Sequence, residues 1–383
     1  MPTIVISPLN VINFQEGGGH FWVYMQYAQG LLHSGCEVYW MESFRSNRDD
    51  EADRALLFPF LERMKRFGLG DNLILYPTVG SSATARLPEK YVGLNRSEAE
   101  SIFERADLLL NFNYVIAPEL LARFQRTAMV DTDPGLLQFW ISRDQLSLPR
   151  HDYYFTTGET VGTPAARFPD CGRKWINIRP PVCLESWPYT FEPSAEAFTT
   201  VSNWDSDDWI VDRDEVYENT KRVAFLEFAG LPRLTAQPLE LALYLRTERD
   251  VQDRHDLEAR GWHVRHSREA AGTPEAYQDY IQSSRGEFSC AKRSCMKFRN
   301  AWVSDRTLCY LASGKPAVVQ HTGPSSFLPN GEGMFRFSTP EEAAKAFESI
   351  NGDYAKHSRA ARQIVEVFFD AKQTVKEILG RAL

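Results

Sequence analysis

The chain has 383 residues, 43% of them hydrophobic and 25% charged, and a formal net charge of −8. That length exceeds what one core usually supports, so two domains are expected, and the acidic balance argues against a long basic track for nucleic acid. The six cysteines show no CxxC or CxxxC spacing and fit reduced, mostly buried thiols of a cytoplasmic protein.

Thr3 to Ile6 predicts a first strand, with no basic leader or long apolar segment before it, so neither a signal peptide nor a membrane span is expected. Gly17-Gly18-Gly19 reads as a turn, His20 to Leu32 as a helix and Cys36 to Met41 as the next strand, a βαβ unit with Glu42 just beyond it. The alternation continues with strands at Asp71–Tyr76, Asp107–Phe112 and Ala128–Val130 and helices at Ser97–Arg105 and Pro118–Gln125. His151–Thr156 and Trp175–Ile178 are the last strands of this half. The prolines from Arg179 to Pro193 mark a linker. Beyond it, strands are predicted at Phe198–Ser202, Leu239–Leu245, Trp262–Arg265 and Glu287–Cys290. Helices are predicted at Arg213–Gly230, Val251–Arg260 and Pro274–Ser283.

The stretch from Trp302 to Phe337 is the most ordered part of the pattern. Asp305-Arg306 opens an amphipathic helix, Ser313-Gly314-Lys315-Pro316 ends it, and Pro316 to Gln320 is a short β-branched strand. His321-Thr322-Gly323 then lies at that strand's carboxyl end, where open α/β sheets place their ligands. Helices over Thr339–Ile350 and His357–Arg381 close the chain. The fold class is therefore α/β with two Rossmann-like halves. The expected boundaries are 1–185, 186–362 and a last helix, 363–383, returning toward the first half.

Two groups carry possible chemistry on their own residue types. Gly18 and Gly19 can let a ligand approach the backbone at a helix N-terminus, although the glycine spacing is not GxGxxG. Asp131-Thr132-Asp133 puts two carboxylates at a strand end, Asp131 being the candidate base or the partner that orients His20; both are equally good turn residues. The pair is similar to the DxD of metal-dependent transferases. His266 and His357 read as surface residues.

Ala312-Ser313-Gly314-Lys315-Pro316, His321-Thr322-Gly323 and Gly331-Glu332-Gly333 together resemble the nucleotide-sugar half of GT-B fold glycosyltransferases. The resemblance implies two Rossmann-like domains facing across a cleft, with donor on the second and acceptor on the first. It implies a nucleotide diphosphate sugar as co-substrate, a small-molecule or natural-product hydroxyl as acceptor, and no metal or other cofactor. It makes His20 a candidate general base and Glu287 a group meeting the donor sugar, with Ser289 beside it. Lys292, Arg306, His321, Thr322 and Gly323 would face the diphosphate or sugar. One departure stands out. The glutamate that many retaining members place five residues before the helix-ending glycine is Cys309 here, which leaves Asp305 as its replacement and the stereochemistry open. A nucleotide-sugar epimerase or hydrolase, or a nucleotide-sugar-binding protein without turnover, are the competing readings. Oligomeric state is left open.

Overall fold

The computed structural model describes residues 1–46, 48–78, 90–205, 209–212 and 215–383. The first half comprises β1 (Thr3–Ser7), α1 (Gly18–His33), β2 (Glu37–Arg45), α2 (Asp50–Arg66), β3 (Leu73–Thr78), β4 (Val92–Gly93) and α3 (Arg96–Arg105). It continues through β5 (Leu108–Asn111), α4 (Pro118–Leu121), β6 (Thr127–Asp131), α5 (Leu136–Ser142), β7 (Tyr153–Thr156) and β8 (Trp175–Asn177). These strands form one sheet in the order β4-β3-β2-β1-β5-β6-β7-β8, parallel throughout except for β4. Its central strands are continuous apolar runs because helices cover both faces. The sequence predicts no element where α2 lies. Asp49 caps that helix by accepting from the Glu51 amide at 2.9 Å, and Pro59 sits within it.

The second half holds β9 (Phe198–Asn203), a hairpin of β10 (Trp209–Asp212) and β11 (Glu215–Glu218), α6 (Lys221–Glu227), β12 (Leu239–Tyr244), α7 (Glu248–Glu258) and β13 (His263–His266). After these come α8 (Ser267–Ala271), α9 (Pro274–Gln282), β14 (Gly286–Ser289), α10 (Arg293–Phe298), α11 (Asp305–Ala312), β15 (Ala317–Gln320) and β16 (Met334–Phe337). The chain ends with α12 (Pro340–Gly352), α13 (Tyr354–Phe368) and α14 (Ala371–Ala382). Its sheet runs β13-β12-β9-β14-β15-β16, all parallel.

Two predicted helices are corrected. The helix expected over Arg213–Gly230 is only Lys221–Glu227; Glu215–Glu218 is a strand, and Arg213 and Asp214 lie outside the described residues. The expected single helix at the end breaks at Phe369-Asp370, because there the linker pairs with it. The Val182 amide donates to Phe369 O at 2.8 Å, and the Ala371 amide donates to Val182 O at 3.0 Å. Beyond the break, α14 packs on α1: a Cβ on Gly30 would stand 3.0 Å from the Ala371 Cβ. One hydrophobic cluster accordingly includes residues of both halves, from Ile4 and Leu31 to Tyr310 and Ile378.

Candidate active site between the two sheets

In the second sheet the strand order reverses at β9 and β14, and these two strands pair only at Phe198–Gly286 and Thr199–Glu287. Beyond that point they part, and the guanidinium of Arg306, from the first turn of α11, fills the gap. Its Nε donates to Glu287 Oε1 at 2.8 Å, Nη1 to the Val201 carbonyl at 2.9 Å and Nη2 to Ser289 Oγ at 2.5 Å. Burial works against the charge, but Glu287 outweighs it and holds the guanidinium protonated above its usual range.

A cavity of about 240 Å³ opens at this reversal. Val201 to Asn203, Lys221, Lys292 and Arg306 wall it from the second half, and Asp133, Pro134 and Leu136 from the first. Three cationic side chains thus border one space at a strand reversal, where α/β sheets bind ligands. Lys221 is buried at the edge of this space. Its Nζ donates to the Cys290 carbonyl at 2.5 Å and lies 5.3 Å from the centre of the Trp302 ring. Burial, with repulsion from Arg306 added, lowers its ammonium to about 8. Ser304, the residue before α11, also lines the cavity, so the positive end of that helix faces it.

Residues 301 to 304 form a wall. Trp302 and Ser304 face the 240 Å³ cavity, whereas Ala301 and Val303 line a second cavity of about 340 Å³ reaching Arg179 and Phe369. Arg299 and Ala301 hold this segment in the left-handed region, with φ of 51° and 56°. Thr322 fixes it from behind, donating to the Trp302 carbonyl at 2.8 Å and accepting from the Ala301 amide at 3.2 Å.

The expected site residues therefore separate into two sets. Lys292 and Arg306 are at the cavity. Asp131 is not. It is fully buried, its Oδ2 accepting from Gln138 Nε2 and Thr156 Oγ1 at 2.8 Å each and its Oδ1 from the Asp133 amide at 3.0 Å. Burial pushes its carboxyl up to about 7 against the pull of Gln138 and Thr156. Asp131 shapes the turn that carries the exposed Asp133 to the cavity wall. Glu287 and Ser289, expected to meet the sugar, are likewise sequestered behind Arg306. Asp305 is half-buried and absent from the cavity lining; burial raises its carboxyl, and its charge is felt by Tyr24, Tyr27 and Tyr277. Cys309 is buried against α1, accepting from Gln26 Nε2 at 3.6 Å.

Gly18 and Gly19 are also corrected. They admit the other half of the molecule: a Cβ on Gly18 would stand 2.3 Å from the Thr273 carbonyl oxygen, and one on Gly19 2.8 Å from the Tyr277 ring. His20 sits behind them, its Nε2 donating to the Leu9 carbonyl at 2.7 Å, with edge contacts to Phe14 and Tyr24. Burial lowers its pKa, while Leu9 and the charge of Asp133 pull it back up. His321 accepts from the Gly323 amide at 3.2 Å, and Gly323, with φ of 128°, lies against the Arg299 backbone. This turn supports the wall and does not line the cavity. His357, expected at the surface, is buried and accepts from the Gly333 amide at 3.3 Å.

Lys221 is the residue that the sequence reading missed. The sequence hid it inside the helix expected over Arg213–Gly230, whereas the structure starts that helix at Lys221, after the β10/β11 hairpin.

Solved structures share this fold over the whole chain. Anabaena HepE, in complex with UDP-glucose, superposes with a TM-score of 0.60 at 11% identity, covering 100% of both chains. The fold is GT-B. Sucrose-phosphate synthase from Thermosynechococcus elongatus gives 0.56 at 11% identity, over 100% of this chain and 99% of the other. AviGT4, a glycosyltransferase involved in avilamycin A biosynthesis, gives 0.55 at 13% identity, over 100% and 97%. No family model matches the chain, and no curated protein matches it in sequence. Among the described residues no helix is long and apolar enough to cross a membrane.

Proposed function

We propose that this GT-B protein is a metal-independent glycosyltransferase that moves a sugar from a nucleotide diphosphate sugar to a hydroxyl of a small-molecule or natural-product acceptor in the cytoplasm. The observation that carries the reading is the convergence of Lys221, Lys292 and Arg306 on one cavity that Asp133 closes from the other half. As the glycosidic bond to the diphosphate breaks, the anomeric carbon becomes oxocarbenium-like and negative charge accumulates on the leaving phosphate. Fixed cations beside it stabilise that charge without reorganising. Arg306 is the most rigid of the three, since two strands hold it, yet it keeps N–H groups beyond the three bonded ones.

Asp133 is the carboxylate placed to take the acceptor proton if configuration inverts, with His20 within reach of its charge. Several structures of similar fold hold UDP or UDP-glucose, which supports a nucleotide-sugar donor; two also hold DNA. The net charge of −8 favours a small acceptor over a polyanion. Incubating the protein with UDP-, GDP- and dTDP-sugars and a panel of hydroxyl acceptors tests this reading. It predicts acceptor-dependent release of nucleoside diphosphate; release that never depends on an acceptor would make the protein a hydrolase instead.

A further inference from the structure

His33, the last residue of α1, meets Cys183 and Glu185, from the linker that follows β8, at a place that shares no residue with the cavity lining. Their atoms make a nearly equilateral triangle. His33 Nδ1 lies 3.6 Å from Cys183 Sγ, Cys183 Sγ lies 3.5 Å from Glu185 Oε2, and Glu185 Oε2 lies 3.6 Å from His33 Nδ1.

Hydrogen bonding alone accounts poorly for three such edges. The sulfur can accept from His33 while donating to Glu185, but the N···O edge is too long for a hydrogen bond and is left over. A tetrahedral zinc ion accounts for all of them at once. Bonds of about 2.0–2.1 Å to imidazole nitrogen, 2.3 Å to thiolate and 2.0–2.2 Å to carboxylate oxygen place such ligand atoms roughly 3.4–3.6 Å apart. We propose that His33, Cys183 and Glu185 bind a zinc ion, with water as the fourth ligand.

The surroundings fit. Cys183 and Glu185 are held from outside the triangle, as ligating groups usually are. The Cys183 amide donates to Gln26 Oε1 at 2.7 Å, and Ser186 Oγ donates to the sulfur at 3.4 Å. Lys372, from α14, binds the other carboxylate oxygen of Glu185, leaving Oε2 for the metal. The His33 and Glu185 side chains are 34% and 46% exposed, which opens a route for the ion and a place for the water. One nitrogen, one sulfur and one oxygen donor suit zinc better than magnesium or calcium, which take oxygen ligands. On binding, the thiol proton leaves to solvent, and thiolate and carboxylate together balance the two charges of the ion.

The consequence is structural. Val182, next to Cys183, is the residue whose backbone pairs with the break between α13 and α14. A zinc ion here ties α1, the interdomain linker and, through Lys372, the final helix into one junction. The spacing of these residues in the sequence, with His33 150 positions before Cys183, hides the site from motif reading.

The test uses the full-length chain, stripped with chelator and exchanged into metal-free buffer. One equivalent of added zinc should bind, raise the melting temperature and slow the reaction of one cysteine with a thiol reagent. Cobalt(II) in its place should show a thiolate charge-transfer band that Cys183→Ser abolishes. Because Cys183 is buried, the exposed-side variants His33→Gln and Glu185→Gln serve as controls for folding, and each should weaken zinc at least about tenfold. Absence of stoichiometric zinc binding, or binding that all three variants retain unchanged, would overturn the assignment. Neither outcome bears on the sugar-transfer reading, whose site is separate.

Discussion

Arg306 and Glu287 form a buried ion pair whose worth lies in position. Taking both charges out of water cancels most of their attraction, but removing one partner leaves the other uncompensated at a cost of about 3–5 kcal/mol. Glu287→Gln is therefore expected to lower the urea midpoint markedly and to loosen Arg306 at the cavity. Lys221 behaves differently. Its buried ammonium is costly in the free protein, so Lys221→Met should leave stability unchanged or higher while weakening nucleoside diphosphate binding. Loss of a charge-assisted phosphate contact, about 1.5–3 kcal/mol, corresponds to roughly 10- to 100-fold. The sign of the pH effect follows from its lowered value: Lys221 is charged below about 8 and neutral above it. Donor affinity should fall as pH rises from 7 to 9, and Lys221→Arg should flatten that fall in a calorimetric titration. Asp133→Asn is expected to lower kcat at least about a hundredfold with little change in donor KM, as loss of a general base would, if the enzyme inverts. Asp131→Asn should act mainly through stability. One residue, Thr132, separates these carboxylates, and the sequence could place both at a strand end without telling which one the turn buries. Only the side-chain bonds of Gln138 and Thr156 decide it.

At the level of elements, the Gly18-Gly19 turn shows why a glycine pattern was legible and its role was not. Small residues at a helix start suit an approaching phosphate and an approaching polypeptide alike. Here the approaching group is the segment between α8 and α9, with Trp22 Nε1 donating to the Pro274 carbonyl at 3.0 Å beside it. Gly18→Ala should force backbone apart, costing about 1–3 kcal/mol in chemical denaturation. Gly380→Ala, where a Cβ meets open space within α14, should instead add about 0.5–1 kcal/mol. The helix, strand and glycine turn of residues 305–323 were readable because periodicity, a C-cap glycine and a β-branched run agree locally. The β10/β11 hairpin was not, since Phe298 and the α5 residues Leu136 and Phe139 that cluster with Ile210 lie far away in sequence.

For the whole molecule, the two halves meet through contacts at several separate points. Asn300 Nδ2 donates to the Pro134 carbonyl, the Ser326 amide to Glu159 at 2.7 Å, and Arg268 pairs with Glu16. The two-sheet plan was legible because strands and helices alternate twice with a proline-rich passage between. The candidate site was legible in its second half through Lys292 and Arg306, and in its first half only as the Asp131-Thr132-Asp133 turn, whose two carboxylates local sequence does not tell apart. The cavity at the β9/β14 reversal is proposed to hold a nucleoside diphosphate, and calorimetric titration of UDP, GDP and dTDP into wild type and Lys221→Met at pH 7 checks this. At least one nucleotide should bind wild type at a single site and bind the variant roughly 10- to 100-fold more weakly; no binding by any of the three, or equal affinity in both proteins, would contradict it.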